Sequence, residues 1–253
     1  MRQPSLPEQK KIAAFLGAVD AKIAALRARK AGLEQYKRGL MQALFSQRLR
    51  FTKPDGTAFP DWEEKRLRDL TCLITKGTTP TSVGHSFQAS GVNFIKAESI
   101  DRNGGILRDK VAKISNECHA QLFRSQIKSG DILFSIAGTL GRTAIAKNEI
   151  IPANTNQALA IIRLKDSEKG PFLNLFLNSK LIKKRISQLL SVGAQPNLSL
   201  EQVGSFIVPH PHPDEQQKIA DALSAMDGKI QAVADQVAQM ETFKNGLLQQ
   251  MFV

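Results

Sequence analysis

Apolar residues recur at both ends of the chain in alternating steps of four and three. The first series runs Ile12, Leu16, Val19, Ile23, Leu26, Leu33, Leu40 and Leu44, with Lys30 and Lys37 filling the remaining two places. The second runs Ile219, Leu223, Met226, Ile230, Val233, Val237, Met240, Leu247 and Met251, with Lys244 in the one remaining place. A sustained heptad of this kind predicts long α-helices packed along a left-handed seam. Pro7 and Pro213 stand just before the two stretches, where proline is tolerated, and no proline interrupts either one. Near forty residues each gives rods of roughly 55–60 Å.

The two stretches are copies. Glu8-Gln9-Lys10-Lys11-Ile12-Ala13 reappears as Glu215-Gln216-Gln217-Lys218-Ile219-Ala220. The register then holds without a gap through Asp20/Asp227, Lys22/Lys229, Glu34/Glu241, Lys37/Lys244, Gly39/Gly246 and Phe45/Phe252. Of the 38 positions from Glu8 to Phe45, 18 are identical. Two unrelated amphipathic helices would not bring Gly, Asp and Phe into step as well. Neither rod buries its stripe alone, and the simplest partner for each is the other, antiparallel. The seam lysines, Lys37 and Lys244, read as lying near the globular end. There they either snorkel to solvent, fix the register, or meet an acid of a partner subunit.

Between the rods, residues 47–208 read as one mixed α/β domain, flanked by an N-terminal helical segment (1–46) and a C-terminal one (209–253). The overall class is α+β. Phe51 to Trp62 is turn-rich and reads as an irregular linker. Glu63–Leu73 reads as a short helix or an extended lead-in. Strands are expected over Val92–Ala97, Asp131–Ala137, Thr143–Ala146, Ala158–Leu164 and Phe206–Val208. One helix is expected over Phe172–Leu190, whose apolar residues share a face. Five polar, glycine-bearing or amide-rich loops separate these elements: Lys76–Ser82, Asp101–Gly105, Gly138–Arg142, Asn154–Gln157 and Gly193–Ser199. Asn, Gln, Arg, Lys and Thr are the side chains that read base edges and hold phosphates.

Charge sharpens this picture. The formal net charge is +12, which favours a polyanionic partner, nucleic acid first among them. The first rod is strongly basic and the second acidic, so the two suit each other. No apolar run is long enough to cross a membrane, the first residues lack the core of a signal peptide, and Cys72 and Cys118 provide no disulfide framework. A cytoplasmic protein is expected.

Catalytic motifs are missing from the sequence. Gly138-Thr139-Leu140-Gly141-Arg142-Thr143 lacks the spacing and the lysine of a phosphate loop. His210-Pro211-His212 has no third ligand nearby, so a proline-flanked turn is the better reading than a metal site. His85 and His119 have no identifiable nucleophile. There is neither a G-x-G-x-x-G nor the Asn/Asp-Pro-Pro-aromatic tetrapeptide of amino-methyltransferases. A chain without enzymatic activity of its own is expected.

The Glu-Gln-x-x-Ile-Ala starts, the Asp-x-Lys-Ile steps and the Lys-x-Gly-Leu-x-Gln ends resemble the conserved-region helices of Type I restriction–modification specificity subunits. Phe59-Pro60-Asp61-Trp62, Ser129-Gly130-Asp131-Ile132-Leu133 and Gln195-Pro196-Asn197-Leu198-Ser199 resemble motifs of that family's target-recognition domain. Members usually carry two recognition domains and two conserved helices; this chain reads helix, domain, helix, a half-size form. The resemblance implies a DNA-reading subunit that docks modification subunits on its helices and binds no cofactor itself. S-adenosylmethionine would be brought by the modification subunit, and a restriction motor subunit can be added. A homodimer recognising an interrupted palindrome is the favoured arrangement; a remnant of a longer subunit, or a coiled-coil adaptor with non-specific DNA binding, are the alternatives. The residues selected for DNA contact are Lys76, Thr78, Thr79, Lys96, Arg142, Asn154, Asn156, Gln157, Gln195 and Asn197. The seam positions, Ile12 to Leu40 and Ile219 to Leu247, are those selected for helix pairing and partner docking.

Overall fold

A computed structural model describes residues 5–191 and 197–252. The chain forms two compact units, one of Met1–Leu49 with Asp221–Val253 and the other of Arg50–Ala220.

The first unit is helical. Helix α1 spans Leu6–Phe45. At its start the Glu8 carboxylate accepts from the Ser5 N–H at 2.7 Å, and this satisfies a donor just ahead of the first turn. Val19, Ile23 and Leu26 are buried, as are Leu223, Met226, Ile230 and Val233 opposite. Ile12, Leu16, Leu33, Lys37, Leu40, Met240, Lys244 and Leu247 are half-buried, so the 4-3 series faces inward at these positions too. Three ion pairs show the helices antiparallel. Lys37 Nζ lies 2.5 Å from Asp227, Lys244 Nζ 2.6 Å from Asp20, and Arg27 Nη2 2.5 Å from Glu241.

The first two of these pairs are the same contact made twice, because Lys37/Lys244 and Asp20/Asp227 are equivalent positions of the repeat. A local two-fold therefore relates the rods. The seam lysines lie toward opposite ends of the rods, not together at one end as the sequence predicts, and each pairs with an acid of this same chain. Lys37 is 13% exposed on its side chain, Lys244 29% and Arg27 66%. Coupling energies in double-mutant cycles should fall in that order, from about 1 kcal/mol to near zero. Denaturant unfolding of the Lys→Met and Asp→Asn singles and doubles for the first two pairs, and of Arg27→Met and Glu241→Gln with their double for the third, measures this; a larger coupling for Arg27–Glu241 than for Lys37–Asp227 would contradict it.

In the second unit, strand β1 (Glu63–Arg66), a single helical turn α2 (Leu67–Leu70) and β2 (Thr71–Lys76) replace the expected lead-in segment. There follow β3 (Val92–Ile95), β4 (Ala112–Ile114), α3 (Asn116–Gln121), β5 (Gln126–Ile127), β6 (Ile132–Ser135), β7 (Thr143–Ile145), β8 (Ala153–Thr155) and β9 (Leu159–Leu164). Helices α4 (Gly170–Leu177), α5 (Lys180–Ser191) and α6 (Leu200–Gly204), strand β10 (Ile207–His210) and helix α7 (Pro213–Phe252) complete the chain. Helix α7 opens in this unit and continues as the second rod.

One sheet has the order β2-β9-β6-β7, all antiparallel; a second has the order β4-β3-β8-β5, with β3 and β8 parallel; β1 and β10 form a two-stranded ribbon. Ile95, Leu133, Ala144, Leu159 and Ile161 meet in one core between the two larger sheets. The single helix expected over Phe172–Leu190 is two helices, broken at Asn178–Ser179. The apolar period continues across the break, with Phe172, Phe176, Ile182 and Ile186 all buried, which is why periodicity alone does not reveal it.

Candidate nucleic-acid interface

The parallel pair β3/β8 ends with Ile95 opposite Thr155, so the residues that follow, Lys96 and Asn156-Gln157, emerge side by side. The end of β2 meets them there. The Gly77 N–H donates to the Asn156 carbonyl at 3.1 Å, and a Cβ on Gly77 would lie 1.8 Å from the Thr155 oxygen. Only glycine permits that approach. Thr79 Oγ1 donates to Gln157 Oε1 at 2.5 Å. The Ile136 N–H donates to the Ala158 carbonyl, and the Leu198 N–H to the Ile136 carbonyl, both at 2.9 Å. Asn197 is thereby brought to the same rim.

The structure thus gathers Lys76, Thr78, Thr79, Lys96, Asn156, Gln157 and Asn197 from four separate segments of the chain. Lys76, Gln157 and Asn197 are exposed, and the others half-buried. Lys96 Nζ stands 4.5 Å above the Phe87 ring and 3.8 Å from Glu98, which holds its ammonium in place. Asn156 is partly committed, its Oδ1 accepting from the Ala158 N–H at 3.1 Å. Gln195 lies outside the described residues.

Two selected residues are placed differently. Asn154 is fully buried; its Nδ2 donates to the Leu122 carbonyl and to Ser125 Oγ, both at 3.0 Å, while its Oδ1 meets His119 Nδ1. No amide edge remains for a base, so Asn154 is a fold residue and is withdrawn from the DNA-contact set. Arg142 donates from Nη1 to the Ile100 carbonyl at 2.8 Å, and its Nε is buried. The guanidinium so anchors the loop Asp101–Gly105, whose tip is further held by Asp101 Oδ1 accepting from the N–H groups of Asn103 (2.7 Å) and Gly105 (2.8 Å).

Several contributors lie outside the residues selected from the sequence for DNA contact. Asp131, 1% exposed, takes a bidentate contact from Arg163 at 2.8 and 2.7 Å, which joins β6 to β9 and holds the Arg163 guanidinium above its ordinary pKa. The spacing of the two residues carries no local signal; only the strand pairing brings them together. Glu215 is fully buried and accepts from Arg50 and Trp62. Helix α5 presents Lys180, Lys183, Lys184 and Arg185, a run legible in the sequence once its helical phase is known. Desolvation by its surroundings pushes the Lys183 ammonium down from its ordinary pKa, although its side chain reaches solvent. At the predicted turn, burial and the nearby Lys65 and Lys169 lower the His210 pKa, and His212 stacks on Phe59 with ring centres 5.6 Å apart. Among the described residues no group of three His, Cys, Asp or Glu side chains is placed to hold a metal, and no helix is long and apolar enough to cross a membrane.

Comparison with known proteins agrees with this architecture. The solved S subunit of a Type I restriction–modification system from M. genitalium superposes with a TM-score of 0.65 at 17% identity, covering 98% of this chain and 62% of that one. The HsdS subunit of Thermoanaerobacter tengcongensis gives 0.56 at 22% identity, covering 98% and 59%. In sequence, the MjaIX specificity subunit of Methanocaldococcus jannaschii is 26% identical over 218 residues, 81% of this chain and 48% of the relative. The EcoBI specificity subunit of Escherichia coli is 26% identical over 267 residues, 97% and 55%. The chain spans about half the length of these relatives. The family described as the Type I restriction modification DNA specificity domain matches residues 60–241, which takes in the rim, both larger sheets and most of the second rod. A match over that much of the chain, on a fold shared with solved S subunits, places the protein in the Type I restriction–modification DNA specificity family.

Proposed function

We propose that this chain is the non-catalytic, DNA-reading specificity subunit of a Type I restriction–modification assembly, in a half-size form. The observation that carries the reading is the convergence of Lys76, Thr79, Lys96, Gln157 and Asn197 on one rim of a basic domain that belongs to this family. These side chains offer amide edges, hydroxyls and cations, the groups that contact base edges and phosphates. The paired helices serve as docking platform for modification subunits that bring S-adenosylmethionine. Rods of roughly 60 Å hold two readers more than one turn of DNA apart, a turn being about 34–36 Å. Two copies related by a two-fold axis would read inverted half-sites separated by a fixed gap.

Co-expression with a modification subunit, followed by methylation-sensitive sequencing, tests this. The expected product is an interrupted palindrome. An asymmetric two-part motif would exclude the homodimer, and DNA binding without any motif would favour the adaptor. In the same assay Gln157→Ala should relax one position of the motif, at about 1–3 kcal/mol of discrimination, and leave the others intact. Asn154→Ala should lower stability without changing the motif.

A further inference from the structure

Helix α5 carries four cations in its first six residues and no acidic residue in its twelve. Ile182 and Ile186, 3% and 4% exposed, hold one face inward. A Cβ on Gly141 would lie 2.8 Å from Cδ1 of Ile186, so the helix is seated on the turn between β6 and β7. At about 100° per residue, Lys180 and Lys184 fall on the face opposite those isoleucines, with Lys183 and Arg185 on its two flanks. All four are exposed, and none has an ion-pair partner among the described residues.

This arrangement works against the helix that carries it. Lys180 and Lys184 are like charges one turn apart, which destabilises a helix. They also stand in the first turns, beside the positive end of the helix dipole, where cations are disfavoured. Ser179, just ahead of the helix and 4% exposed, does not cap it, because its hydroxyl makes no hydrogen bond. An ordinary solvated face would carry acids among these lysines. A polyanion laid along the helix would offset the repulsion and complement the dipole together.

We propose that the outer face of α5, through Lys180 and Lys184 with Lys183 and Arg185 beside them, is a contact strip for the phosphates of duplex DNA. Lys180 and Lys184 are about 6 Å apart along the helix axis. Successive phosphates of one strand rise about 3.4 Å along the duplex while stepping around it, so neighbouring phosphates lie within reach of the two flexible side chains. The strip adjoins the reading rim, since the β6–β7 turn that seats α5 leads straight from Ile136, the residue bonded to Leu198 beside Asn197. It rests on the DNA-reading function proposed above and adds a sequence-independent contact to it.

The full chain carrying K180Q/K184Q, titrated onto a mixed-sequence duplex by fluorescence anisotropy between about 50 and 200 mM salt, tests the strip. The slope of log K against log salt should shrink in magnitude by about 1.8, at about 0.9 for each phosphate that the protein no longer neutralises. The melting temperature should stay at or above that of the wild type, because a repulsion has been removed. K128Q/K147Q removes the same charge from the opposite end of the β6–β7 hairpin, where the Gly130 N–H meets the Ala146 carbonyl, and should keep the wild-type slope. A K180Q/K184Q slope equal to that of the wild type, or a reduction shared equally by K128Q/K147Q, overturns the strip and leaves the DNA-reading function standing. A wild-type chain without affinity for duplex overturns both.

Discussion

Asp131→Ala should destabilise the second unit by about 3–5 kcal/mol, the range found when one partner of a buried ion pair is removed. Asp131 immediately precedes β6 and is 1% exposed. Its Oδ1 accepts from Arg163 Nε at 2.8 Å; its Oδ2 accepts from Arg163 Nη2 and from the Lys128 N–H, both at 2.7 Å. The substitution would strand a guanidinium that is only 24% exposed and the Lys128 backbone donor ahead of the turn that leads into the strand. Two desolvated groups then lack partners, which costs more than the missing attraction itself. Asp131→Asn keeps the shape but turns an NH2 toward donors, so an intermediate loss is expected. Replacing both partners by apolar residues should cost less than Asp131→Ala alone, since no charge is left buried. Trp62, the single tryptophan, lies in this unit and reports its unfolding. A fall in urea midpoint at unchanged slope would register the loss. A midpoint shift worth less than about 1 kcal/mol would show that Arg163 finds water readily and that the pair is peripheral.

What the sequence made legible followed how local each cause is. The rods are readable as helices because a heptad and a repeat are properties of neighbouring positions; the placing of Lys37 and Lys244 at opposite ends is not, although the same Asp and Lys that pair there recur in both copies. Strands β3, β6, β7 and β9 were readable because apolar runs mark buried strands. Strand β8 was not. Asn154 and Thr155 have the composition of a turn, yet both are fully buried, with the Thr155 hydroxyl donating to the Ile95 carbonyl at 2.8 Å. Tertiary partners satisfy groups that composition assigns to solvent, and the Asn154 amide, which composition offers to a base, is held inside by Leu122 and Ser125. The rim was legible as five loops but not as a surface. Its unity comes from Gly77 closing on β8 and from Leu198 docking on Ile136, contacts between segments about 80 and 60 residues apart in sequence. Ser129–Leu133 was recognisable as a family motif, but its physical reason lies on another strand, at Arg163.

Glu215→Ala should cost the second unit a comparable 3–5 kcal/mol, roughly the price of an uncompensated buried charge, and here the repeat supplies its own control. Glu215 is fully buried in the first turn of α7. Its carboxylate accepts from Arg50 Nε at 3.1 Å and Nη2 at 2.8 Å, and from Trp62 Nε1 at 2.9 Å. Arg50 donates further to the carbonyls of Phe59 (3.3 Å) and Pro60 (2.6 Å), and its guanidinium stands 5.8 Å over the Trp62 ring. One carboxylate thus fastens the Phe59-Pro60-Asp61-Trp62 segment to the head of the helix. Without it, a guanidinium and an indole N–H lose their acceptor together. Glu8 occupies the same place in the other copy, but it is exposed and, among the described residues, accepts only from Ser5, at 2.7 Å from both its N–H and its hydroxyl. Glu8→Ala should therefore cost far less, although residue type and repeat position are identical. Glu215→Gln should fall between, because an amide satisfies one donor and opposes the next, and Trp62→Phe should lose about 1 kcal/mol for its single hydrogen bond. Urea unfolding of the four variants, followed by circular dichroism so that Trp62 can be replaced, ranks them. Equal losses for Glu8→Ala and Glu215→Ala would mean that the carboxylate acts through helix capping in both copies and that the clasp on Arg50 and Trp62 contributes nothing.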